Sequence, residues 1–183
     1  MKTGNVKYYA KLTIVLLVIT AVVAGLLGLV NAITEDRIAE ITEQKPAAAM
    51  KAVMPEAETF TEIEYGGDDP LVIGAYRAEN ASGTNGYVFR VVPMGFGGEI
   101  DMVVGVDATG KITGVSIVKM AETSGLGDNA KKESYRNQYV GKSGTLAVTK
   151  DGGSIDALTG ATVTSRAVTD GVNAALKAAK TFE

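Results

Sequence analysis

An α+β domain, with a mainly antiparallel sheet and flanking helices behind a single N-terminal transmembrane helix, is the architecture that three features of the chain predict. Leu12 to Ile33 is a run of 22 uncharged residues. From Thr59 to Lys119 apolar residues recur with a period of two and are broken by turn clusters, the pattern of strands. From Ser165 onward Val168, Val172, Ala175 and Ala179 recur at intervals of three or four, the pattern of a helix. Sheet first and helices later, with no G-x-G-x-x-G opening, argues against a doubly wound nucleotide fold.

The apolar run comes first. At 1.5 Å per residue its 22 residues reach about the 30 Å of a bilayer core. A cleaved signal peptide is the alternative, but the run is longer than the usual apolar stretch of about 7–15 residues, and no small-x-small cleavage site follows it. Lys2, Lys7 and Lys11 precede the run, and Glu35, Asp36 and Arg37 follow it. That asymmetry predicts a cytoplasmic N-terminus (1–11), a spanning helix (12–33) and an extracytoplasmic remainder. Residues 34–58 read as a juxtamembrane stalk. Ile33, Ile38 and Ile41 keep an apolar edge on it, Pro46 ends or kinks it, and Ala47 to Met54 forms a short docking helix before Pro55. Residues 59–183 are then one globular domain of ordinary size.

Composition narrows the chemistry. The chain has no His and no Cys, which excludes a classical zinc site, an iron–sulfur cluster, a Cys nucleophile, a Ser-His-Asp triad and His-ligated haem within it. Redox work would therefore need an organic cofactor. Residues 1–33 hold three Lys and no acid, leaving 15 basic against 21 acidic residues, a net of −6. Such an acidic domain, with no basic stripe, predicts no nucleic-acid partner.

Within the domain, Phe60, Ile63 and Tyr65 open the sheet. Gly66 to Pro70 is a turn, and Leu71 to Arg77 is a strand. Asn85-Gly86 reads as the next turn, followed by a strand with Tyr87, Phe89 and Val91 alternating. Met94-Gly95-Phe96-Gly97-Gly98 is a Gly-rich loop, suited to a turn or to close approach of a ligand. Glu99–Val106 and Lys111–Lys119 form a long hairpin around Asp107-Ala108-Thr109-Gly110. Asp128 to Tyr139 reads as an exposed helix capped by Asp128, Thr145 to Lys150 as a short strand, and Asp151-Gly152-Gly153 as a turn.

Asp156-Ala157-Leu158-Thr159-Gly160-Ala161-Thr162-Val163-Thr164-Ser165 then places a cluster of hydroxyls where a Gly-containing turn enters the last helix. Thr164 or Ser165 is the expected N-cap. The amides of the first helical turn favour an anion close to Thr162, and Arg166 is placed to add a cation. The alternative is that the hydroxyls only cap the helix.

Asp156-x-x-Thr159-Gly160-Ala161-Thr162 resembles the Asp-x-x-(Ser/Thr)-Gly-Ala-Thr signature of proteins to which a flavin transferase attaches FMN by a phosphoester bond. Glu122-Thr123-Ser124-Gly125-Leu126-Gly127 resembles the Glu-Thr-Pro-Gly-Leu-Gly segment upstream in the same domain, with Ser124 standing where the family usually has Pro and Met120 where it often has His. With the single apolar segment, the pair is similar to the FMN-binding G component of the Rnf-type ion-translocating electron-transport complex. Its relative, the C component of the sodium-pumping NADH:quinone reductase, is the nearest alternative, although its members tend to be longer.

The resemblance implies an electron-carrying flavoprotein component of a membrane-bound oxidoreductase of the ferredoxin:NAD type, active only within its complex. It implies covalent FMN on Thr162, with Thr164 as the rival acceptor, and a phosphate turn of Asp156, Thr159, Gly160 and Ala161. Leu126 between Gly125 and Gly127 would lie against the flavin ring, with Glu122 and Thr123 at its polar edge. The implied partners are the other membrane subunits and a flavin transferase. No catalytic or metal-binding residue is implied. A membrane-anchored FMN-binding sensor or assembly protein, or an anchored domain with no cofactor, are the readings from other classes.

Overall fold

The computed structural model describes residues 3–81 and 83–182, and within the first helix the side chains of 7–34 and 46–53. Residues 1–44 and 45–183 form two compact units. Helix α1, Thr3–Val53, supplies nearly all of the first. Its stretch Lys7–Thr34 has 28 residues with a mean hydropathy of 2.8, long and apolar enough to cross a membrane. The hydroxyls of Thr13, Thr20 and Thr34 each donate to the carbonyl four residues back, at 2.8–3.0 Å, so the threonine donors on that apolar surface are all engaged. The apolar edge read for Ile38 and Ile41, and the charge of Lys2, lie outside the described residues.

The second unit is built on an antiparallel sheet in sequential order: β1 (Thr59–Ile63), β2 (Val72–Asn80), β3 (Gly83–Val91), β4 (Asp101–Asp107) and β5 (Ile112–Lys119). The α+β expectation holds. Alternation along the strands sends side chains to both faces. Phe89, Val91, Met102, Val104 and Val106 face helix α3 (Thr162–Ala179), which buries Val168, Val172, Ala175 and Leu176 against them. The α3 backbone comes so near that a side chain at Gly171 would come within 2.9 Å of the Pro93 ring.

Val88, Val103 and Val118 point the other way, where they meet Ala49, Val53, Met54 and Ala57. The last turns of α1 therefore dock on the sheet, as the Ala47–Met54 stretch suggests. Pro46 lies inside α1 rather than at its end. Its missing N–H and ring clash cost about 3 kcal/mol, comparable with the ~1.5–3 kcal/mol that each buried Val or Met side chain returns in the turns beyond it.

Three other expectations change. Asn85-Gly86 is not a turn: β2 and β3 pair from Asn80↔Gly83, and Gly86 lies inside β3. Its φ of 153° and the β4 backbone against it, 2.8 Å from any added Cβ to the Asp107 Cα, make it a bulge glycine. Residues 128–139 do not form one exposed helix capped by Asp128. They make a 3-10 turn, Gly127–Lys131, and a four-residue helix α2, Glu133–Arg136, and no side chain caps either. Tyr135 and Tyr139 are both buried here, and their hydroxyls meet at 3.1 Å and run on to Thr169 at 2.9 Å. Thr145–Lys150 contains only a single bridge, Val148↔Ile155, before a 3-10 turn at Thr149–Asp151.

Gly105 and Gly114 face each other across β4 and β5, beneath Val53. A Cβ at 114 would come within 2.9 Å of the Val53 Cα, and the Thr113 hydroxyl donates to the Val53 carbonyl at 2.6 Å. Gly114→Ala is therefore expected to destabilise the unit by about 1–3 kcal/mol through overpacking. A lowered thermal midpoint of the detergent-solubilised chain, with faster proteolysis near Val53, would register it.

Candidate functional site

Helix α3 begins at Thr162, so the structure does not make Thr164 or Ser165 its N-cap. Ala161 holds that position, and no side chain caps the first turn. The helix starts early because Ser165 ties the entering chain from inside: its Oγ donates to the Ala161 carbonyl at 2.9 Å and accepts the Leu158 N–H at 2.9 Å. Gly160, with φ 74°, supplies the left-handed turn before it. The leading amides of α3 keep their capacity for an acceptor brought from outside.

These residues form one wall of a cleft of about 380 Å³, within the roughly 300–1,000 Å³ of small-molecule sites. Gly160, Ala161, Thr162, Val163 and Thr164 come from the turn and helix. Glu122, Thr123, Leu126 and Gly127 come from the loop after β5, and Phe96 and Lys150 complete the lining. The two motif stretches thus meet in space, with Leu126 over Gly160: an added Cβ there would come 3.1 Å from the Leu126 Cδ2. Asp156, Thr159 and Gly125 lie outside the lining. Asp156 is exposed, and its backbone is held by Gln138 through an N–H bond of 2.7 Å. Gly125 supplies a positive φ of 78° for the loop.

Glu122 joins the walls. Its Oε1 accepts the Gly97 N–H at 3.0 Å and its Oε2 accepts the Thr164 hydroxyl at 2.7 Å. Glycine is needed around it. A Cβ at Gly127 would come within 2.5 Å of the same Oε2 and 2.7 Å of the Thr164 Oγ1, and one at Gly97 would overlap the Ala121 carbonyl. Thr164 is only 1% exposed, whereas Thr162 stands half-exposed in the cleft.

The cation at Thr162 is not Arg166. That guanidinium makes a two-point pair with Asp151, both bonds at 2.7 Å, and its hydrogen bonds hold the Asp151 carboxyl below the ordinary carboxylate range. The neighbouring Lys150 instead donates to the Thr162 Oγ1 at 2.9 Å. Lys150 and Phe96 escape a reading by motif. Phe96 stands in the Gly-rich run, but Lys150 carries only the weak signal of a cation just before Asp-Gly-Gly. Leu126, Val163 and Phe96 give the cleft its apolar surface, exposed by 42%, 50% and 74%.

Residues 95–177 match the FMN-binding domain family and residues 1–53 the RnfG N-terminal region family. The chain is 34% identical to the G component of the Na+-translocating ferredoxin:NAD+ oxidoreductase complex of Acetobacterium woodii, over 93% of this chain and 91% of that protein. It is 36% identical to the G component of the proton-translocating ferredoxin:NAD+ oxidoreductase complex of Clostridium ljungdahlii, over 91% and 89%. The C component of the Na+-translocating NADH-quinone reductase of Parabacteroides distasonis shares the fold, with a TM-score of 0.55 at 21% identity over 69% of this chain and 77% of that one.

Because Glu122 is the tie between the Gly-rich loop and α3, Glu122→Ala is expected to release both. The loss of two hydrogen bonds to a carboxylate should cost about 2–4 kcal/mol. Hydrogen exchange at the Gly97 amide should accelerate, and Glu122→Gln, which keeps an acceptor for that amide, should fall between.

Proposed function

The chain belongs to the RnfG family, the G components of ion-translocating oxidoreductase complexes, and on that premise we propose that it is the electron-carrying FMN protein of such a membrane complex, with FMN esterified to Thr162. The observation that carries this reading is the hydroxyl of Thr162. It is the first residue of an uncapped helix, half-exposed in an apolar cleft and hydrogen-bonded to an ammonium group. A phosphodiester placed there meets a cation and unengaged amides at once. Thr164 is the poorer acceptor, since it is buried, at 1% exposed, while Thr162 opens into the cleft.

The rest of the cleft suits the remainder of the cofactor. Leu126 and Phe96 offer apolar surface for the ring system, and Thr123 a polar group at its edge. Glu122 acts chiefly by fixing the walls. Bound FMN supplies electron transfer in one- or two-electron steps, and an ester link keeps it from dissociating between them. The chain itself holds, orients and partly shields the group. It works only with the other membrane subunits, and a flavin transferase attaches the cofactor.

In the same reading residues 1–11 are cytoplasmic, 12–33 cross the membrane, and 34–58 lead to an extracytoplasmic FMN-binding domain, 59–183. Three lysines before the apolar run, against the single Arg37 directly after it, support that orientation.

Co-expressed with a flavin transferase, the chain is expected to gain the mass of one FMN less one water, and Thr162→Ala to gain nothing while melting normally. Flavin retained on denatured Thr162→Ala would place the ester elsewhere. For orientation, the absence of Cys makes single introduced thiols informative. Glu62→Cys should react with an impermeant maleimide in intact cells, and Thr3→Cys only after lysis; the reverse pattern would invert the topology.

A further inference from the structure

We infer that Lys150 selects Thr162 over Thr164 for FMN attachment, by activating its hydroxyl and then neutralising the phosphodiester that forms. The inference rests on Thr162 being the attachment site. Two threonines with a single residue between them on the first turn of α3 have neighbours of opposite charge. The Lys150 ammonium donates to Thr162 at 2.9 Å, while the Glu122 carboxylate accepts from Thr164 at 2.7 Å. A cationic donor lowers the cost of negative charge developing on the Thr162 oxygen, while Thr164, tied to the carboxylate that joins the walls, is only 1% exposed and out of reach of an incoming phosphorus. Both hydroxyls are chemically alike, so their surroundings decide between them.

Lys150 is held for this. It sits in the 3-10 turn Thr149–Asp151, whose Asp151 is locked to Arg166 by two 2.7 Å bonds. Arg166 lies one helical turn beyond Thr162, so the pair fixes the lysine's backbone to the helix that carries its target. On the other side the Thr149 N–H donates to the Ile155 carbonyl at 2.8 Å. Arg166 is thus a positioning residue, and Lys150 the group that touches the reacting oxygen.

The step balances as a phosphoryl-group substitution with no redox change. Ester formation requires FMN in activated form, a pyrophosphate anhydride such as a flavin adenine dinucleotide. The Thr162 Oγ bonds to the FMN phosphorus, the bond from that phosphorus to the AMP oxygen breaks, and AMP leaves with the electron pair. The hydroxyl proton passes to a base of the transferase. One negative charge remains on the new phosphodiester beside Lys150.

The test uses the full-length chain made without flavin, a purified flavin transferase and flavin adenine dinucleotide, with attachment followed by intact mass and located by peptide mapping. Lys150→Gln should lower the rate at saturating chain concentration roughly ten- to hundredfold, the worth of a hydrogen bond to a charged group. Lys150→Arg should recover most of it, and both should melt like the parent. An unchanged saturating rate for Lys150→Gln, a loss confined to the half-saturating concentration, or an Arg variant as slow as Gln would overturn the role of Lys150. Flavin on Thr162→Ala would instead overturn the attachment site itself.

Discussion

The hydrogen bonds of one carboxylate make a single cleft out of three stretches distant in sequence. Glu122 follows β5, Gly97 lies before β4, and Thr164 is in the last helix, yet the two oxygens of Glu122 reach both within 3.0 Å. The bonds form only because the surrounding backbone has no side chains to displace them, at Gly97 and at Gly127. Without that junction, the Gly-rich loop and the start of α3 would have no direct tie, and the apolar surface of Phe96 would not be fixed beside Thr162. A hydrogen bond to a charged group is worth more than a neutral one, which makes a carboxylate suited to a joint at a half-open surface.

The sheet supplies the rigid part to which this joint is fastened. Both of its faces are covered, by α3 on one side and the end of α1 on the other, so its strands carry apolar residues in both registers. Val103 and Val104 are both fully buried although they point in opposite directions. The Gly105–Gly114 pair provides the space in which the backbone of Val53 lies against β4 and β5. A Gly/Ser segment at 45–57 would have had no apolar face to offer this side of the sheet. Here the last turns of α1 are part of the domain's core.

Much of this was legible in the residues. The period of two marked β2 through β5 to within a few positions, and the period of three to four marked α3, because in both cases burial of one face dictates the pattern. Misreadings fell where long-range contacts override local chemistry. Asn85-Gly86 has the composition of a turn but answers to the backbone of β4. Tyr135 and Tyr139 are hidden in a charged sequence and are buried where composition favoured an exposed helix. The motif residues Glu122 and Thr162 could be singled out from their neighbours in sequence. Lys150 could not, because its role depends on a turn held by Arg166, which itself had drawn attention as the cation.

That exchange of roles bears on how a small domain without His or Cys can handle a phosphate. Arg166, on the exposed face of α3 one turn from Thr162, engages Asp151 and becomes a strut. The point charge is left to Lys150, whose ammonium donates to the Thr162 hydroxyl and, under the proposed attachment, would face an anionic diester there. A guanidinium needs a matching planar acceptor to use its geometry, and Asp151 offers one. Among the described residues the ammonium of Lys150 makes a single bond, to the Thr162 hydroxyl. The division of labour between the two cations therefore follows from their partners: a carboxylate that takes two parallel bonds from Arg166, and a hydroxyl that takes one from Lys150.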